Sequence, residues 1–454
     1  MTWLEAFKPC FGHRAQELAL RRYVQGLLSD SPRKSMEAML ARVTEPGSYQ
    51  AFQHVITHAP WSADGVWRRL RAVLPEREGL LIFDATSVPQ QGQQSVGVAQ
   101  QYSGLQRQIA TCQVAVTAAL WTGARAYLLG AALYLPQAWV TEAARARARI
   151  PATVVFQQKG RLALTLLRHV RASGFVVTGG LADAEFGDNR MFRGLLHRLR
   201  LPDAVGVSSH LTAFLGTPPL QAPRATPGPH KRHLAAGVSA RPISDLLAAA
   251  RPRWRTGRWR NRPGGRPCTA DCAAIRVTPA LDYRHPRLAP EIWLLAERDV
   301  GPKAKTRFYF VNLPPTASLA QIVRFAHQRW PSNSNINSSK TELGLDHFEG
   351  RTFPGWHHHV VLTALTDNFL QAERRRTRGP LTFPWSAGSC KRSSPPISLR
   401  NDRTTSNASK RSSPSSCGSN KVVSKRVAGG RPPKTGAVSR TRVVCQGPKS
   451  RAAS

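Results

Sequence analysis

Asp84 and Asp183 are the residues whose type and setting could do chemistry. Each closes a short apolar run, "GLLIF" before Asp84 and "GFVVTGGLA" before Asp183, the pattern of a buried strand with an acid at its tip. Two such tips side by side offer oxygens to one hard cation, and Mg²⁺ takes a few carboxylate oxygens with water and substrate phosphate. A lone aspartate after a strand more commonly serves as a turn residue or helix cap, and Asp188 reads as a cap ahead of "NRMF". The charge balance suits a polyanionic substrate. The chain has 65 Lys and Arg against 26 Asp and Glu, net +39. From Arg374 onward 19 basic residues face Asp402 alone, so that stretch supplies +18 and the rest +21. The body is basic in its own right, which points to nucleic acid.

The elements that must position these acids change period along the chain. Residues 1–75 read as a helical domain, with apolar residues at helical spacing in "AQELALRRYVQGLLSD" and a Ser-Pro start in "SPRKSMEAMLARV". Residues 76–200 read as a mixed α/β layer: three strands, the amphipathic helix "KGRLALTLLRHVRAS", a strand and a second helix. Residues 201–318 are strand-rich and punctuated by Pro and Gly, a β-rich insertion. Helix returns over 319–384 in "SLAQIVRFAHQRW" and "WHHHVVLTALTDNFLQAERRR". Beyond 385 the periodicity dissolves into Ser, Pro, Gly, Arg and Lys, a disordered tail.

The cysteines (10, 112, 268, 272, 390, 417 and 445) are scattered, and Cys268 and Cys272 lack a second pair for zinc. Free thiols, no signal-peptide core and no apolar run of about 18 residues predict a cytoplasmic protein without a membrane span.

"LIFDATSVPQQGQQSVGVAQQYSG" with "TCQVAV", then "LADAEFGDN", then "RW" and "ELGLDHFEGR" ahead of "GWHHHV", resemble the bacterial insertion-sequence DDE transposases over about residues 10–384. The resemblance implies a ribonuclease H-like catalytic core with a β insertion before the third acid. It implies Asp84 and Asp183 as metal ligands, two Mg²⁺ or Mn²⁺ ions, and cleavage and strand transfer of DNA. The DNA partners would be terminal inverted repeats and target DNA, acted on by a possible homodimer. Two ions about 4 Å apart, held by three carboxylates, activate a water or 3′-hydroxyl and stabilise the leaving oxygen.

The family's Tyr-Arg-Glu-Lys signature falls here on Ala326, Arg329, Asn333 and Lys340. Offsets of 4 and 11 on a helix return within about 40° of the start, so Arg329, position 333 and Lys340 share a face: a metal ligand between two phosphate contacts. Position 333 is Asn, so the third acid is missing. Glu342 and Glu349 are the acids nearby that could replace it, although the family carries acids there alongside its catalytic glutamate.

The octet Ser332–Ser339, "SNSNINSS", is a poor helix former. Its plausible codons TCG AAC AGC AAT ATC AAC AGC TCA, read one base over behind an added A, decode as Ile-Glu-Gln-Gln-Tyr-Gln-Gln-Leu, a helical segment with glutamate at 333. The tail from Cys390 also recodes one base over into an amphipathic helix. The octet is therefore read as a local frame shift, and the tail as out of frame.

"RPRWRTGRWRNRP" sets Arg253, Arg255, Arg258 and Arg260 among Trp254 and Trp259, suited to phosphate contact and base stacking; the plainer reading is a solvated loop with docked tryptophans. His357–His359 point in three directions on a helix, so one packing or phosphate-facing histidine outweighs metal binding. Gln90 and Gln93 stand where the family tends to have Lys. The expectation is a transposase whose catalysis is impaired. The alternative is a non-catalytic binder of transposon ends acting as a repressor; a general nuclease or RNA-binding protein fits the paired motifs less well.

Overall fold

A computed structural model describes residues 3–43, 45, 47–104, 106, 108–220, 234–235, 237–260, 265–280, 289–299 and 305–377, with backbone alone at 330–335 and 377. All lie within the unit Met1–Cys390. The tail expected over 385–454 lies outside the described residues.

A 3₁₀ turn, Trp3–Cys10, is followed by α1 (Arg14–Leu28), α2 (Met36–Leu40), α3 (Tyr49–Thr57) and α4 (Ala63–Val73). Ser35, Ser48 and Ser62 cap three of them, each hydroxyl accepting from the backbone N–H three residues on. Next come β1 (Glu78–Pro89), β2 (Ala99–Ser103), β3 (Gln108–Trp121), β4 (Ala126–Tyr134), α5 (Glu142–Ala148), α6 (Lys159–Ala172), β5 (Val176–Ala182), α7 (Ala184–Gly187), α8 (Arg190–Arg198) and β6 (Asp203–Val207). Then follow β7 (Thr212–Leu215), β8 (Arg241–Pro242), α9 (Ile243–Ala250), β9 (Arg255–Arg260), β10 (Pro267–Pro279), β11 (Ile292–Arg298) and β12 (Thr306–Asn312). The closing helices are α10 (Leu319–His327), α11 (Trp330–Leu343) and α12 (Phe353–Thr377). No described helix is long and apolar enough to cross a membrane.

The strands form one mixed sheet in the order β2-β3-β1-β5-β6-β12-β11-β10-β7-β8, with β4 also on β3 and β9 on β10. β1, β3 and β4 form an antiparallel meander, and β5 and β6 continue it in parallel. This is the α/β, ribonuclease H-like layer that the resemblance implies. The strands of 201–318 do not form a sheet of their own: β6 hydrogen-bonds to β5, and β12 returns antiparallel to β6. That strand-rich region also holds a helix, α9, whose "ISDLLAAA" is a short helical window among Pro and Gly.

Side chains alternate across the sheet. Leu81 and Phe83 enter a core beneath α6 and α8, while Leu80 and Ile82 enter a second core with Ile322, Val323 and Ala326 of α10. Asp84 follows in the second register, so it rises on the face that α10 covers. A third core joins the N-terminal helices to α12 through Tyr23, Phe52, Trp67, Val361 and Leu365.

α11 runs unbroken through the Ser/Asn octet, although those residues are poor helix formers. Pro331 stands in its first turn, where a missing N–H costs nothing. Gly344 ends it in the left-handed region (φ 65°), its N–H bonded to the Lys340 carbonyl and the Leu345 N–H to that of Ser339. Ile336 and Leu343 are buried in the N-terminal core. Packing and caps thus outweigh a propensity deficit of a few tenths of a kcal/mol per residue.

Candidate active site

The parallel register pairs Leu80 with Gly179, Leu81 with Gly180 and Ile82 with Leu181. Two residues further on, the same register sets Asp84 beside Asp183. β1 continues to Pro89, so Asp84 lies within a strand rather than at a tip as expected; β5 stops at Ala182, and Asp183 follows at once. Asp183 caps α7, its Oδ1 accepting from the Glu185 N–H at 3.1 Å. The turn carrying it lies tight on β6: a Cβ on Gly187 would sit 1.7 Å from the Gly206 carbonyl oxygen.

Arg329, between α10 and α11, closes the arrangement. Its Nη1 lies 3.1 Å from Asp84 Oδ1 and 4.0 Å from Asp183 Oδ2, and all three side chains are at most one-third exposed. Thr86 donates to Asp84 Oδ2 at 3.3 Å, and Thr117 to the Asp84 carbonyl at 3.3 Å. Burial pushes the Asp183 carboxyl above its ordinary range; the Arg329 charge opposes this and the Asp84 charge adds to it. At the far end of α11, Lys340 Nζ donates to the Ser87 carbonyl at 3.4 Å. Burial pulls its ammonium down, against the attraction of Asp346 and Asp84. Arg329 and Lys340 therefore both reach β1 from one face of α11. Position 333 is on that face by helical spacing; the Asn333 side chain lies outside the described residues.

Asp84 and Asp183 suit one hard cation. No group of three His, Cys, Asp or Glu that could hold a metal occurs among the described residues. Glu349 pairs with Arg33, and burial raises Glu342 while the charges of Arg374 and Lys34 act against it. The donor set fits one ion, and it lacks the carboxylate for a second.

Asp188 is not the cap of α8. Asn189 is, accepting from the Phe192 N–H, while Asp188 accepts from the N–H and hydroxyl of Ser208 and so ties α7 to β6. Gln90 donates to Gln113 and to the Phe348 carbonyl.

The arginine-rich stretch is strand rather than loop from Arg255 to Arg260. Arg253, Arg255, Arg258 and Arg260 are exposed, and Arg260 donates to the Gly265 carbonyl at 2.6 Å. Both tryptophans are half-buried. Trp259 stacks on His327 of α10, and Trp254 carries the Arg298 guanidinium over its ring, 4.5 Å from the centroid. His358 lies between the Ile56 and Trp61 carbonyls and stacks on Trp61; His359 bridges Tyr23 and Gly344. Packing accounts for both. The grouping that sequence reasoning missed joins the buried Glu297 and His327 to the exposed Arg307, residues separated along the chain that form no motif.

The family model for DDE superfamily endonucleases matches residues 6–266, more than half of the chain. No curated protein matches it. The matched span holds Asp84 and Asp183 and ends before Arg329.

Proposed function

Because the chain belongs to the DDE superfamily endonucleases, we propose that it is an insertion-sequence transposase that engages transposon-end DNA and is impaired in cutting it. One observation carries the reading: an aspartate within β1 and one directly after the adjacent β5 share one guanidinium, with Asn at the third-acid position and no third carboxylate beside them among the described residues. Asp84 and Asp183 would hold a single Mg²⁺ or Mn²⁺, which when bound supplies Lewis-acid stabilisation of phosphoryl oxygens. Without a carboxylate at 333 the second ion lacks its ligand.

The chain's own residues have definite parts in this reading. Arg329 and Lys340 would receive phosphates along the α11 face, and the exposed arginines of 253–260 would follow the DNA backbone. Residues 1–75 would serve as an end-binding or dimerisation domain, 76–200 with 319–384 as the catalytic core, and 201–318 as the insertion. The reading also takes 332–339 and the tail from 385 as frame-shifted. The burial of α11 supports this for the octet: among its positions with described side chains, 336–339, the recoded segment puts Tyr at 336 and Leu at 339, which are buried, and Gln at 337 and 338, which are more exposed.

A second reading follows from the same missing acid: the protein occupies transposon ends without cutting them and represses active copies. Labelled DNA carrying the repeats that flank the gene, incubated with the protein and Mg²⁺ or Mn²⁺, separates the two. Retention with slow cutting supports the impaired enzyme, and retention without cutting supports the binder. Neither retention nor cutting overturns both.

A further inference from the structure

We propose that Arg329 is a built-in counter-ion that competes with the divalent cation for Asp84 and Asp183, so that metal binding is weak until a DNA phosphate draws the guanidinium away. The inference rests on the reading of these aspartates as cation ligands, and it adds the order in which the site fills.

The argument is one of charge and position. Arg329 Nη1 lies 3.1 Å from one aspartate and 4.0 Å from the other, on the carboxylate oxygens a cation would need. Arg329 and Asp84 are both four-fifths buried, so their attraction is less screened than at a surface. Lys340 adds a second positive charge facing Asp84. Arg329 and Lys340 offset the charges of Asp84 and Asp183, and Asp346 lies near Lys340 as a further acid. A glutamate at 333 would add a negative charge and draw a cation in; Asn333 adds none. A divalent ion entering the cluster must separate Arg329 from Asp84 and adds two positive charges, unless a phosphate accompanies it. Guanidinium binds phosphate in the same forked manner as carboxylate, so a DNA phosphate offers Arg329 an equivalent partner. Ion and DNA should therefore bind with positive coupling, each strengthening the other by the same factor.

The test is Mn²⁺ binding to the full chain without DNA, followed by electron paramagnetic resonance, for wild type, Arg329→Gln and Asp84→Asn, with folding checked by circular dichroism. Arg329→Gln should bind Mn²⁺ about tenfold more tightly than wild type, and Asp84→Asn should lose the site. A folded Arg329→Gln that binds Mn²⁺ no better than wild type overturns the proposal. A second arm uses the unaltered protein: transposon-end DNA should tighten its Mn²⁺ binding about tenfold. If DNA is retained and Mn²⁺ affinity does not rise, the proposal fails while the reading of a DNA-binding transposase stands. If no variant or condition yields Mn²⁺ binding that Asp84→Asn removes, the reading of the aspartates as cation ligands fails as well.

Discussion

Trp259 lies flat on His327, ring centroids 3.7 Å apart and planes 6° from parallel. The stack ties the arginine-rich strand β9 to α10, two residues before Arg329. Beneath it, His327 Nε2 is 2.8 Å from Glu297 Oε2, and Arg307 Nη1 is 2.7 Å from Glu297 Oε1. A tryptophan held this way is a structural anchor, which divides the stretch into packing tryptophans and solvent-facing arginines. Trp259→Ala should cost about 2–3 kcal/mol of stability, below the full range for a buried tryptophan because the ring is half-exposed. Arg258→Ala should leave thermal stability nearly unchanged and lower DNA affinity, with the salt-dependence slope falling by about one. Thermal melts and binding titrations over a salt series check both. A Trp259→Ala protein of unchanged Tm would remove the anchor role.

Residues 357 and 359 make the fold acid-sensitive. Burial lowers each imidazole from 6.5 to about 4. His359 donates from Nε2 to the Gly344 carbonyl and accepts at Nδ1 from Tyr23, so the neutral ring satisfies both contacts. The unfolded chain takes up protons below pH 6.5 and the folded chain only near 4. The stability these groups contribute is therefore whole above pH 6.5 and is lost as pH falls toward 4, by about 2 kcal/mol per histidine at pH 5. His357→Leu should flatten the fall in Tm between pH 7.5 and 5; an unchanged slope counts against the assignment.

Asp203 works in the opposite sense. It is 5 % exposed, accepts from Asn312 Nδ2 at 3.1 Å, and is raised by burial to about 7, with Asn312 and Arg193 acting against the shift. Folded Asp203 keeps its proton where the unfolded residue has lost it, so stability declines by about 1.4 kcal/mol per pH unit from roughly 4 to 7. Asp203→Asn should raise Tm at pH 8 and converge on wild type near pH 4. In the wild type this slope partly masks the histidine effect, so the two variants are best measured over one pH series.

The sequence carried β1 and β5 because uninterrupted apolar runs mark strands buried on both faces, and it carried the two aspartates because they end or interrupt those runs. It did not carry the joining of β6 and β12 into one sheet, since hydrogen bonds between strands some 100 residues apart leave no local periodicity. The exchange of Asp188 for Asn189 as the cap of α8 was a matter of one residue, beyond the usual precision of helix boundaries. The Arg329–Asp84 pair was hidden differently: Arg329 was read as a phosphate contact, and the short range of the signature says nothing about what that guanidinium touches without DNA. The octet is helical despite its poor helix formers, because propensity is a weak prior that tertiary packing overrides.

That octet supplies the sharpest prediction. In α11, Ile336 and Ser339 are buried, Asn337 is exposed and Ser338 lies between. A hydroxyl at the deeply buried position 339 contributes little apolar area where a leucine would bury a full side chain, a difference of about 1.5–3 kcal/mol. The Ser and Asn residues on the helix add a propensity deficit of a few tenths of a kcal/mol each. Replacing the segment as a unit by Ser332→Ile, Asn333→Glu, Ser334→Gln, Asn335→Gln, Ile336→Tyr, Asn337→Gln, Ser338→Gln and Ser339→Leu should raise Tm by several degrees and bring Mg²⁺-dependent cutting of transposon-end DNA. Asn333→Glu alone should restore little cutting, because the acid would stand on a helix whose buried face is still short of apolar contact. Equal activity in the two variants would make the acid the whole deficit. A segment replacement that lowers Tm would remove the frame-shift account, because the recoded residues would then misfit the burial they are taken to explain.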